Sequence, residues 1–294
     1  MVTLSVGMYF LFALLALVCE YVDSAMGGGY GTILVPVLLA FNVDRSLLIP
    51  AILFTEIWTG FGSAALHHYV GNANFGIKFN SKRKVLMNGG GIIPVAVQSE
   101  SKTKKEGILS NLIISTDFKI ALILGLFGII GGIAAAFLAL NLNELIIKTY
   151  IGVLVFLVGL FVFLKLKWKF AWWKISGIGL LAAFNKGLSG GGYGPLISSG
   201  QIIVDRNPRQ AVASTSLAEG VVCVSSLIIY FIFGGSIISA AFGYLLLALM
   251  IGALASVPLA VLTVKYIPIK KMQPLIGTVT MLLGIFTLLK TFVF

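Results

Sequence analysis

Asp23, Glu56, Lys186 and Glu219 each interrupt a long apolar run. A charge at the centre of a bilayer costs on the order of 3 kcal/mol on insertion scales, so an intramembrane ionisable residue marks a functional site by default. Two of the four stand just before an unusual glycine run. SAMGGGYGTILVPVLL at 24–39 follows Asp23, and GLSGGGYGPLISSGQI at 187–202 follows Lys186. Glycine permits positive φ and close backbone approach. Three in succession leave N–H groups free at the start of the next helix, and such groups bind anions together with the helix dipole. Gly27, Gly28, Gly29 and Tyr30, with Gly190, Gly191, Gly192 and Tyr193, are therefore expected to form an anion site built mostly from backbone. Glycine runs also serve tight helix packing, the use expected of GIIGG at 128–132. No GK[ST] follows either run, so neither is a phosphate-cradling P-loop.

Each side chain near these runs has two readings. Lys186 either attracts the anion or neutralises Asp23, and the two roles are compatible. Asp23, Glu56 and Glu219 either carry protons for coupled transport or brace the glycine turns by accepting from free N–H groups. Ser189 and Gln201 belong to a set of polar groups richer after the second run than after the first, which assigns more substrate contacts to the second. Their alternative is bonding to their own helix carbonyls. Adjacent His67 and His68 do not share a helix face, so a metal site is not expected, and both are placed at the membrane interface. No HExxH, CxxC or Ser–His–Asp pattern is present, so neither a metal cofactor nor an enzyme activity is expected.

The elements that must position these residues are helices in lipid. Of 294 residues, 59% are hydrophobic and 11% are charged, too little charge to cover a soluble surface. Apolar segments run at about 4–25, 31–41, 46–69, 118–140, 146–166, 171–187, 193–204, 209–232, 236–264 and 272–293. Segments 31–41 and 193–204 reach only about half the hydrocarbon thickness, and each follows a GGGYG. The net charge of +11 is read as loop Lys and Arg on the cytoplasmic side rather than as a nucleic-acid surface. Eight simple crossings distribute the loop charges 13 to 7. If each short segment instead pairs with the helix before it as a hairpin, only Arg45, Lys148 and Lys290 fall outside, Lys186 stays within the membrane, and the other 17 lie inside. The positive-inside rule prefers the second arrangement. The first apolar stretch lacks a basic n-region and is expected to be a retained helix. Cys19 and Cys223 are expected to act as small buried hydrophobes rather than as a disulfide.

The chain also repeats itself. An offset of 163 carries GGGYG at 27–31 onto 190–194 and Glu56 onto Glu219. IGVLVFLVGLFVFLK at 151–165 matches IGTVTMLLGIFTLLK at 276–290 in seven of fifteen positions. The expected fold is an all-α polytopic membrane protein of two inverted-topology repeats, 1–166 and 167–294, each a glycine-tipped helical hairpin plus three transmembrane helices. Such repeats with interrupted helices are an architecture of secondary transporters. The first repeat contains a basic, Gly-rich insert, 71–116, with no counterpart in the second; it is expected to be a cytoplasmic loop against anionic headgroups.

The two glycine-rich hairpins, 23–60 and 186–222, each followed by a helix with a buried Glu, resemble the TauE/SafE family of sulfite exporter-type membrane transporters. The resemblance extends over nearly all the chain except the insert. It implies a carrier of small anions: sulfite, sulfonates, or related sulfur-containing or organic anions. The expected function is thus a secondary transporter in the cell membrane, working by alternating access with a proton or Na⁺ gradient as the drive. The alternative is a passive anion channel with the same glycine-lined site. The expected partners are a small anion and membrane lipid, not nucleic acid. No nucleotide-binding motif is present, and nothing in the residues speaks to oligomeric state.

Overall fold

The structure, a computed structural model, describes residues 6–79, 112–139, 144–189, 192–233 and 239–292. Among these are ten helices: α1 (Val6–Met26), α2 (Tyr30–Ala40), α3 (Arg45–Tyr69), α4 (Thr116–Ala139), α5 (Glu144–Phe163), α6 (Trp172–Ser189), α7 (Tyr193–Ile203), α8 (Pro208–Phe233), α9 (Ala240–Tyr266) and α10 (Ile269–Phe292). Each coincides with one expected apolar segment to within a few residues. The exception to helix is a ribbon at the base of the insert, where β1 (Ile77–Phe79) pairs antiparallel with β2 (Leu112–Ile114). It was not foreseen, because three-residue strands have no readable period. Residues 80–111 of the insert lie outside the described residues.

Apolar side chains run all around most helices, the pattern of elements buried in lipid or protein on every side. Helices satisfy their own backbone groups, which hydrocarbon requires. Among the described residues, five helices are long and apolar enough to cross a membrane: α1, Leu47–Tyr69 of α3, Pro208–Ile232 of α8, α9 and α10. The outer surface is apolar, with Leu126, Ile130, Ile251 and Leu282 all more than half exposed. The interior is where the polar groups collect, including Glu20, Asp23, Glu56, Asn185, Lys186, Gln201 and Glu219.

The long helices pack in pairs: α1 on α9, α4 on α6, α5 on α10 and α3 on α8. Lipid offers no hydrophobic drive for helices to associate, so close backbone approach through small residues does the work. Between α5 and α10, a Cβ on Gly159 would stand 2.5 Å from Met281 N, and one on Gly284 would stand 2.4 Å from Phe156 N. Between α3 and α8, a Cβ on Gly60 would meet Ser216 O at 2.8 Å. Within GIIGG, Gly128 and Gly131 pack against α6 and α8, as expected of a packing motif.

Candidate functional site

Two helix breaks position the site. α1 ends when the amides of Gly27 and Gly28 both donate to the carbonyl of Asp23, at 2.7 and 3.1 Å. The next residues take φ of 79°, 154° and 149° at Gly27, Gly28 and Gly29, a conformation that favours glycine. α2 then starts at Tyr30. In the second break Gly192 has φ 79° and precedes α7. Pro195 falls in the first turn of α7, where a missing N–H costs no helix bond. Gly190, Gly191 and the side chain of Ser189 lie outside what is described.

The breaks touch. A Cβ on Gly28 would be 2.2 Å from the nitrogen of Pro195, and one on Gly194 would be 2.5 Å from the Cα of Gly28. The Gly192 amide donates to Thr32 Oγ1 across the contact at 2.9 Å. No side chain fits there, which is the local reason for glycine on both sides.

Beside this contact lies a small cavity lined by Asp23, Gly29, Gly31, Thr32, Glu56, Lys186, Gly192, Tyr193, Gly194, Pro195 and Glu219. Lys186, from the last turn of α6, reaches the middle of α3 and of α8. Its Nζ is 2.8 Å from Glu56 Oε2 and 2.8 Å from Glu219 Oε1. The three side chains are 4–6% exposed, so this ion-pair triad is sealed from bulk solvent. The thiol of Cys223 donates to Glu56 Oε2 at 3.1 Å, and the Lys186 ammonium stands 5.6 Å from the centre of the Tyr193 ring.

Two expectations need correction. Lys186 does not pair with Asp23; it spans Glu56 and Glu219, because its long stem carries the charge beyond its own break. Of the three acids expected to brace a glycine turn, Asp23 does so, its Oδ1 accepting from the Tyr30 amide at 3.0 Å at the start of α2, whereas Glu56 and Glu219 bond Lys186 instead. His67 is wholly buried in protein. Asn72 Nδ2 donates to His67 Nδ1 at 2.9 Å, which leaves Nε2–H to donate to the Ser24 carbonyl at 3.3 Å, just before the first break.

The cavity wall thus includes Gly29, Gly192, Tyr193, Asp23, Glu56, Lys186 and Glu219 from the sequence reading. Gly27 and Gly28 serve instead in the contact between the breaks. Tyr30 packs in the core with Phe12 and Leu34. Gln201 braces α7 on α8, donating to Ala211 O and Thr215 Oγ1 and accepting from Ser214. Both cysteines are free and buried. Sequence reasoning passed over Glu20, 1% exposed, whose Oε1 accepts from Ser24 at 2.7 Å. An acid within an apolar run was the signal that would have found it. The contact role of Pro195 and Gly194 left no such trace.

Long apolar helices around a charged interior, with two helices broken at glycine, define an integral membrane protein. The family comparison refines this: residues 109–287 match the profile of the sulfite exporter TauE/SafE family. The chain belongs to that family, one of membrane anion exporters. The match takes in the second break and leaves the first outside it. No match to the chain was found among curated proteins or among solved structures.

Proposed function

We propose that the chain is a secondary carrier of the cell membrane that moves sulfite, a sulfonate or a related small sulfur-containing or organic anion by alternating access. The observation that carries this reading is the cavity where the two breaks meet. Backbone from Gly29, Gly31, Gly192 and Gly194 lines it, with Thr32 and Lys186 as donors.

Two inverted halves, 1–166 and 167–294, are the moving parts in this reading. Gly152 and Gly277 are repeat equivalents, as are Gly159 and Gly284. Gly152 packs against Gly284, and Gly159 against Gly277. Each glycine therefore meets the equivalent of the other, as a two-fold axis in the membrane plane requires. The pairing of α1 with α9 and of α4 with α6 exchanges in the same way. These contacts support inverted repeats of a hairpin and three crossings each.

Charge supports coupling to protons. Asp23, Glu56 and Glu219 face the cavity with one ammonium among them. Lys186 is already shared by two carboxyls, so an arriving anion meets excess negative charge unless protons come with it. Glu56 and Glu219 are the proposed proton carriers, and Lys186 is the group for which the substrate competes.

Counterflow in proteoliposomes tests the reading. Internal unlabelled sulfite should accelerate and overshoot uptake of labelled sulfite, and Glu219→Gln should flatten the pH dependence of uptake. Flux that neither saturates nor shows counterflow would establish the channel alternative. A pH profile unchanged in Glu219→Gln would remove that residue from coupling.

A further inference from the structure

The connection from α5 to α6 reads LKLKWKFAWWK over 164–174. It holds Lys165, Lys167, Lys169 and Lys174 and no acidic residue. From Lys165 to Phe170 lysine and apolar residues alternate strictly, so charge and hydrocarbon are interleaved residue by residue. The side chains from Lys165 to Phe170 are all exposed. Trp168 is 55% exposed and Trp173 is 74% exposed, large for residues with nothing polar to do but present an indole N–H. Such a ring on a membrane protein belongs at the headgroup level, with its body in acyl chains and its edge wet.

The segment is built, not merely basic. Lys174 Nζ lies 5.9 Å from the Trp168 ring centre and 5.8 Å from that of Trp173, and it donates to the Lys169 carbonyl at 2.8 Å. Phe170 stands edge-on to Trp172 at 5.2 Å. Lys174 therefore stands between the rings of Trp168 and Trp173. Lys167 pairs with Asp205, the acid that faces this segment. The Trp168 amide donates to Ile203 O, the last carbonyl of α7, at 2.6 Å. The segment is thus fastened to the end of the short helix that begins at the cavity.

We propose that residues 164–174 bind the headgroup of an anionic phospholipid, its phosphate on Lys165, Lys167 and Lys169 and its acyl chains against Trp168, Phe170 and Trp173. Charge complementarity and exposed aromatic residues beside the lysines together select this occupant over a soluble phosphate, which has no use for the rings. The headgroup draws Lys167 from Asp205, so occupancy is felt at the C-terminal end of α7. The site is separate from the cavity and does not depend on what the cavity binds.

Tryptophan quenching by brominated lipid tests it, because Trp168, Trp172 and Trp173 are three of the four tryptophans. Full-length protein carrying Trp58→Phe is placed in phosphatidylcholine vesicles containing a small fraction of brominated phosphatidylglycerol or of brominated phosphatidylcholine. Each lysine near an anionic surface favours binding about fivefold, so phosphatidylglycerol should quench at a mole fraction at least about tenfold lower. Lys165→Gln, Lys167→Gln and Lys169→Gln together should abolish that preference. Lys265→Gln, Lys270→Gln and Lys271→Gln, changed together, should leave it intact. Equal quenching by both lipids overturns the proposal, as does a preference surviving the first triple change or vanishing in the second. Loss of the preference on adding excess inorganic phosphate at constant ionic strength would make this a plain phosphate site and overturn the assignment to lipid.

Discussion

The two helix breaks share a sequence, GGGYG, yet they are wired differently. In the first, the preceding charged residue stays local: Asp23 accepts from the Tyr30 amide and completes its own turn. In the second, the equivalent residue, Lys186, leaves its turn and takes hold of Glu56 and Glu219 on two other helices. The first break is also anchored from outside, through Asn72 and His67 to the Ser24 carbonyl. At offset 163 the counterpart of His67 is Tyr230, a different side chain. The first break is closed by its own acid, and the second is where charge from three helices converges.

This contrast can be broken most directly at Lys186. Lys186→Met strands two buried carboxyls, and losing one partner of a buried ion pair costs about 3–5 kcal/mol. Thermal melting in detergent should fall steeply, and adding Glu56→Gln and Glu219→Gln should restore most of the loss. A small change in Lys186→Met alone would show that the triad is not under strain of charge.

Next in size is the contact itself. Gly28→Ala places a methyl 2.2 Å from Pro195 at a φ of 154°. Strain at such a conformation costs roughly 1–3 kcal/mol and overpacking a similar amount. Gly194→Ala should behave alike from the other side. If either variant melts like the parent, the breaks do not meet as described.

Asp23→Ala removes a carboxyl from the start of α2, a capping loss of about 1–2 kcal/mol. Asp23→Asn keeps an acceptor for the Tyr30 amide and should lose less. Should Asp23→Ala prove as damaging as Lys186→Met, the two breaks are equivalent in energy and the contrast fails. The smallest effect is expected at Gly62, in α3, where a methyl meets nothing within 4 Å. Alanine there should be neutral or stabilise by up to about 1 kcal/mol.

Much of this molecule is legible in one dimension. Ten apolar segments anticipated ten helices, since hydropathy and segment length are local and lipid enforces helix wherever the chain is apolar. The glycine runs marked where the two short helices begin, because positive φ leaves its trace in residue type. The ion-pair triad was not legible as a unit. Asp23 looked like the partner of Lys186 through repeat equivalence, but equivalence of position says nothing of where a flexible stem extends. Nor was it legible that Asn72, at the base of the insert, would bond the ring of His67.

Composition and glycine placement, read residue by residue, were enough for the membrane class, the helices and both breaks. Lys186 meets Glu56 and Glu219 across 130 and 33 residues of chain, and Gly28 meets Pro195 across a comparable span. No local period encodes such meetings. They follow from how the helices pack against one another, through glycine faces that fit some neighbours and exclude others.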